Sequence, residues 1–367
     1  MTTTQTAPDA ELELTEEPAQ GWLARLTRVQ ALQIILVLIV LVVVFSIAAP
    51  GKFMTVGNVR NMVMNTSIYA VLGVGMTFVI VTAGIDLSIG SVLVFSSVMS
   101  AKMMGVMGNG QGWGVALVGL LVALVFGAAW GTLNGVLVAY AKVPPLIVTL
   151  GTLGGALGLA LVITKGTDVT SVPIGLTNSI GYGNVFWQVP WLTVVAAVVV
   201  ILGIFLLHRT RFGLHTFAVG SNPEAVRRAG INLNWHLTKV YMLMGLLAGF
   251  AGFLSLAHFA TTTINGQSMT NLNVIAGVVI GGTSLFGGYG SVFGTVIGLF
   301  IPTVLQAGFV IVGIQPFWQQ VVIGAVLIAA VWVDQTRRAA ALRGRPLNWR
   351  HLLDRPTRHP AGSPPPQ

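Results

Sequence analysis

From residue 240 to residue 333 the chain runs for ninety-four residues without one Asp, Glu, Lys or Arg. A soluble domain covers itself with charge, so this pattern excludes an ordinary water-soluble fold. One helix crosses a bilayer with ~20 apolar residues, so the stretch crosses several times. The same alternation of long apolar runs with short polar or glycine-rich breaks extends back to residue 31. It predicts ten spans, at about 31–49, 61–82, 88–107, 113–140, 146–164, 190–207, 240–260, 270–287, 291–313 and 316–333. The first stops at Pro50-Gly51, and the fourth is long enough to tilt or to break at Gly127 or Gly131. The expected fold is all-α: a polytopic membrane protein with about ten transmembrane helices and a short cytoplasmic helix.

Composition agrees, with 54% apolar and 8% charged residues, against roughly a quarter charged in soluble domains. The net charge of +9 is unevenly placed. Seven of the nineteen basic residues follow residue 333, and five more lie between Arg209 and Lys239. Basic clusters flanking apolar spans mark the cytoplasmic side, and without interleaved aromatics they argue against nucleic acid as a partner. An even number of spans then puts both termini in the cytoplasm. The division expected is a tail at 1–30, a transmembrane domain at 31–333 holding a polar segment at 209–239, and a basic tail at 334–367. Residues 21–30 read as a short interfacial helix. The acidic first twenty residues do not resemble a cleaved signal peptide. Absence of cysteine excludes disulfides, thiolate metal sites and cysteine catalysis. Glycine, at 45 residues, permits close helix packing in lipid, as in Gly151-x-x-Gly154-Gly155-x-x-Gly158.

Three breaks carry candidate chemistry. In GIDLSIGS, Asp86 is the sole acid between Glu17 and Asp168. A carboxylate at membrane depth marks function or caps a helix start, and here Leu87-Ser88-Ile89 follows it. Gly84 and Gly90 beside it allow a tight or re-entrant turn, with Ser88 as a further turn or cap residue. In GGTSLFGGYGSVFG, Gly287, Gly288 and Gly290 make a sharp turn; with no lysine it is not a phosphate loop. Val79-Ile80 with Gly90-Ser91-Val92 is echoed two hundred residues later by Val279-Ile280 with Gly290-Ser291-Val292, as an internal duplication would produce. The third break is HRTRFGLHTFAVGSNPEAVRRAGINLNWHLTK. Asn222 caps, Pro223 suits the first turn, Glu224 favours the positive end, and Gly230 stops the helix. Such a helix is either a lever between a soluble partner and the spans or an anchor with Arg227 and Arg228 on headgroups.

Several long stretches resemble the permease subunits of ribose-type ABC sugar importers. They are VGMTFVIVTAGIDLSIGSV, LNGVLVAYAKVPPLIVTLGT, RTRFGLHTFAVGSNPEAVRRAGIN, VIGGTSLFGGYGSVFGT and PFWQQVVIGAVLI, in this order from about 55 to 335. The chain departs from the common pattern at the neutral Asn271-Leu272-Asn273, at Tyr289 and at Leu214. The resemblance implies a multi-pass permease of the bacterial inner membrane, working as a homodimer. Partners would be cytoplasmic ATP-binding subunits and a periplasmic or extracellular sugar-binding protein. The chain would bind no cofactor or metal and have no catalytic residue; ATP would act on the partner. The family's coupling segment maps onto Gly220, Asn222, Glu224, Ala225, Ala229 and Gly230, beside Arg227 and Arg228, which favours the lever.

The mechanism expected is alternating access, with the binding protein docking near 50–60, 165–189 and 261–270. A sugar path needs amides, hydroxyls and aromatic faces. Candidates are Asn65, Thr77, Asn134, Thr149, Thr152, Asn271, Asn273, Phe317, Trp318 and Gln319, each with an alternative role in helix packing or interfacial anchoring. The rival class is an ion-coupled secondary transporter, for which Asp86 is the main ionisable candidate and His258 a second. An intramembrane enzyme would need a metal or nucleophile cluster such as HExxH, which the sequence lacks.

Overall fold

The computed structural model describes residues 30–107, 112–267, 269–315 and 317–342. The expected interfacial helix at 21–30 and most of both tails lie outside the described residues. The helices are α1 (Gln30–Ala48), α2 (Val56–Val81), α3 (Ile89–Val106), α4 (Trp113–Ala139), α5 (Pro145–Thr164), α6 (Trp191–Arg209), α7 (Arg211–Ser221), α8 (Pro223–Arg228), α9 (Leu233–Phe259), α10 (Thr270–Ile280), α11 (Val292–Val312) and α12 (Phe317–Leu342). A two-stranded hairpin, β1 (Asn184–Phe186) and β2 (Val189–Pro190), precedes α6.

Seven helices, α2 to α6, α9 and α11, are long and apolar enough to span a membrane, and shorter apolar stretches of α1 and α12 flank them. The predicted span at 270–287 is corrected. Helix α10 has only 11 residues, about 16 Å, half of a ~30 Å hydrocarbon core. It stops at Gly281, and Gly282, Gly287 and Gly288 all take positive φ in the turn that follows. The crossing here is made by non-helical chain and a half-helix together, so among the described residues a count of ten full-length helices is not confirmed.

Helices α2 and α9 are central. Their most apolar windows are 83% and 78% buried, against 28%, 28% and 22% for α4, α5 and α6, whose exposed Leu, Val and Ile suit lipid. Helix α9 packs antiparallel on α4 through glycines: Gly127 meets Gly245 and Gly249, Gly131 meets Tyr241 and Gly245, and Gly135 meets Thr238. Without a hydrophobic drive between helices in lipid, such backbone approach supplies the van der Waals contact. The second glycine run behaves differently. Gly151, Gly154 and Gly158 have nothing of this chain within 4 Å of a Cβ, and only Gly155 nears Trp130.

Contacts fix the depth of each break relative to these helices. Gly252 of α9 packs on Leu93, so α3, running alongside α9, begins about halfway along it. Helix α10 begins level with Tyr69, the middle of α2, whose hydroxyl accepts from Asn273 Nδ2 at 3.4 Å. Both α3 and α10 are thus preceded by chain that is not α-helical at membrane depth, 82–88 and 261–267, the second containing a 3₁₀ turn at Asn265–Gln267. Non-helical backbone survives there only when buried in protein with its polar groups paired. Gly84 N–H donates to Val79 O, Thr262 N–H donates to Val169 O, and Asp168 Oδ1 accepts from Ile264 N–H and Thr262 Oγ1.

Candidate transport site

The first turns of α3 and α10 meet inside the molecule. Gly90 N–H, in the first turn of α3, donates to Asn271 Oδ1 at 2.7 Å, and no Cβ fits at Gly90 without striking that oxygen at 2.5 Å. Asn271 therefore satisfies one of the orphan donors of another helix. The cap of α3 itself differs from expectation. Ser88 occupies the cap position without a side-chain capping bond. Asp86 sits one turn outside it, its Oδ1 accepting from Ser88 N–H at 2.8 Å and Ser88 Oγ at 2.6 Å. Asn134 Nδ2 of α4 donates to the same Ser88 Oγ at 2.9 Å. Asp86 thus folds the turn locally rather than accepting from the helix's own exposed N–H groups.

Two cavities with amide groups in their walls flank the segment 261–267. One, about 220 Å³, lies between Gly90, Ser91, Leu153, Leu157, Asn265, Gln267 and Asn271. The other, about 170 Å³, is lined by Tyr69, Asn273, Gln306, Phe317, Gln319 and Gln320, among others. Their walls offer amides, hydroxyls and two aromatic faces, and no charged side chain. A larger crevice of about 430 Å³ among Ile34, Val37, Ile280, Ile301 and Val326 is mainly apolar, with Gln33 and Thr283 as the polar side chains in its wall.

Of the path candidates, Asn271, Asn273, Phe317 and Gln319 line these cavities. Thr77 is buried, donating to Gly73 O at 2.7 Å and paired with Thr295 Oγ1 at 2.8 Å. Thr149 and Thr152 donate to carbonyls of their own helix, and Asn134 is committed to the Asp86 turn. Asn65 is half-buried on α2 and Trp318 exposed. Sequence reasoning passed over Tyr69, Ser91, Asn265, Gln267, Gln306 and Gln320. Their common signal is uncharged polarity inside an apolar run, which is also that of any helix-packing hydroxyl or amide.

The segment expected to couple sits at the far end of the 82–88 turn. Helix α8 forms as predicted: Asn222 Oδ1 accepts from Ala225 N–H at 3.0 Å, Glu224 lies in the first turn, and Gly230 follows with φ of 77°. Glu224 pairs with Arg227 at 3.9 Å and Arg228 at 3.5 Å, all three exposed, where such pairs contribute well under 1 kcal/mol. Val226 alone of α8 is buried, packed with Val219 and Leu233. Helix α7, not anticipated as a separate element, is tied to α9 by Thr216 Oγ1 and His236 Nε2 at 3.0 Å.

At the end of α7, Gly220 lies backbone to backbone on the membrane part. A Cβ there would collide with Val81 O and Gly288 N. Gly288 N–H donates to Val81 O at 2.8 Å, and Gly287 abuts Ala83 and Gly220 O. Gly290 packs on Val81 and Thr283, and a Cβ on Gly84 would reach the Tyr241 hydroxyl at 2.6 Å. The two echoed glycine turns and the coupling segment therefore share one junction.

Comparison with known proteins supplies the rest. The family described as branched-chain amino acid transport system / permease component matches residues 58–331. The ribose import permease protein RbsC of Escherichia coli K12 is 36% identical over 292 residues, 78% of this chain and 88% of its own. The fructose import permease protein FrcC of Rhizobium meliloti is 34% identical over 307 residues, covering 82% and 83%. The xylose transport system permease protein XylH of Haemophilus influenzae is 31% identical over 361 residues, covering 80% and 93%. No solved structure matches the chain.

Proposed function

The chain belongs to this family of transport-system permease components, and from that premise we propose how it works. It is the membrane-spanning subunit of an ATP-driven importer of a monosaccharide, a pentose, hexose or polyol. The observation that carries this reading is the pair of charge-free, amide-lined cavities at the meeting of α3 and α10, one turn of chain away from an exposed, capped cytoplasmic helix. Neutral amides and hydroxyls bond sugar hydroxyls without holding an ion, and Tyr69 and Phe317 supply apolar faces.

Both termini lie in the cytoplasm with α7 and α8. Two cytoplasmic ATPase subunits bind there, Glu224, Arg227 and Arg228 meeting them, and hydrolyse ATP. A sugar-binding protein docks on the opposite face, where 165–173 is tied to 261–264 through Asp168. Two copies of the chain assemble, in keeping with the uncovered glycines of α5. ATP supplies the difference in free energy between outward and inward states; a permease site equally good in both would shift nothing.

The test is uptake of labelled ribose, xylose, arabinose, galactose, fructose and inositol by cells holding the intact transporter, beside Glu224→Lys. One sugar should enter, and the charge reversal should cut its uptake on the order of tenfold or more, the scale of a typical coupling between sites, with the protein still in the membrane. Uptake that survives ATP depletion and collapses with the proton gradient would instead establish ion coupling.

A further inference from the structure

We infer that residues 81–90 form a strut carrying movement of the coupling segment to the cavity wall, with Asn271 as the positioning residue at its inner end. The inference rests on the ATP-driven reading above and names the route inside this chain. Four observations carry it.

The outer end of the strut has no slack. Gly220 touches Val81 O and Gly288 N through main-chain atoms alone, and Gly287 wedges between Ala83 and Gly220. Around this main-chain contact the nearest side-chain atoms are the short Ser221 Oγ and Ala83 Cβ, which absorb little displacement. The middle is braced: Asp86 holds Ser88 by two bonds, Asn134 holds Ser88 from α4, and Thr149 of α5 reaches Ile85 O at 3.4 Å. The inner end is latched, since Gly90 N–H donates to Asn271 Oδ1. Finally, both latch residues, with Ser91, are walls of the 220 Å³ cavity. A displacement at Gly220 is therefore delivered where two half-helices meet, and Asn271 decides whether α10 moves with α3 or is left behind. Packed elements of this kind move between discrete arrangements rather than deforming continuously.

The absence of cysteine makes the test clean. Ser91→Cys places a single thiol in the cavity wall. Its rate of maleimide labelling is measured in the full complex, permease with ATPase subunits in lipid, with ATP, with ADP and vanadate, or without nucleotide. The rate should depend on nucleotide. Adding Asn271→Ala should abolish that dependence while the complex still assembles. Adding Asn271→Asp, whose carboxylate can accept the same Gly90 N–H, should restore it; a merely structural lesion would not be rescued this way. If the single thiol ignores nucleotide, the ATP-driven reading fails. If it responds and Asn271→Ala responds equally, or Asn271→Asp behaves as the alanine does, the strut is overturned and the ATP-driven reading stands. Loss of assembled complex in Asn271→Ala, with Asn271→Asp assembled, would make the latch a folding bond and also overturn the inference.

Discussion

At the scale of single residues, glycine separates into two populations that sequence alone does not distinguish. Gly245 has Gly131 Cα and N within 2.6 Å of a Cβ, whereas Gly151 has nothing within 4 Å. Gly245→Val should cost about 1–3 kcal/mol or more by overpacking, read as a fall in the melting temperature of the detergent-solubilised protein. Gly151→Ala should leave that temperature unchanged or raise it slightly through helix propensity. Abundant glycine was legible as a sign of close helix packing. Which glycines pack was not, because the Gly127, Gly131, Gly135 spacing is matched by a partner more than a hundred residues away. Asp86 teaches the same lesson: a carboxylate before a helix reads as a cap, yet its Oδ1 is taken by Ser88, and the donor at Gly90 is served by Asn271 from distant chain.

At the scale of elements, α8 was legible to the residue. Its cap, its proline in the first turn, its acidic start and its terminating glycine are all local signals. Asn222→Ala should cost about 1 kcal/mol of local helix stability, seen as faster amide exchange over 223–229 with exchange in α9 unchanged. Helix α10 was legible only in part. Hydropathy runs on through 281–287 because glycine, Leu285 and Phe286 keep the window apolar, so the pattern extended a half-helix to a full one. The preceding segment, 261–269, holds no charged residue, and the bonds of 261–264 to Val169 and Asp168 are set by tertiary structure. Asp168→Ala removes the acceptor of Ile264 N–H and Thr262 Oγ1 and should cost about 1–3 kcal/mol, checked by thermal unfolding with Asp168→Asn as the milder control.

At the scale of the molecule, central α2 and α9 are sheathed by lipid-facing α4, α5 and α6, and the polar cavities lie beside the two helices that start mid-depth. Membrane residence and helical class followed from the distribution of charge and apolar runs, and the exposed helix α8 from its local cap and stop signals. Which amides converge did not follow, since Tyr69, Asn273, Gln306 and Gln320 come from four separated segments. If the chain works in pairs through α5, Gly154→Ala should lower dimer recovery in cross-linking while the monomer's unfolding temperature is held, because the added Cβ has nothing of the described residues within 4 Å.

The meeting of α3 and α10 has an electrostatic consequence. Each helix start carries a partial positive charge of roughly half a unit, and here two of them face one another deep in a medium of low polarisability. Asp86 lies just before the first of these starts, and no carboxylate lines either cavity. If the solute of the proposed importer passes between these helix starts, a hydronium or sodium ion would meet a repulsive barrier there that a neutral solute would not. An opening wide enough for a larger molecule would then still resist leakage of protons.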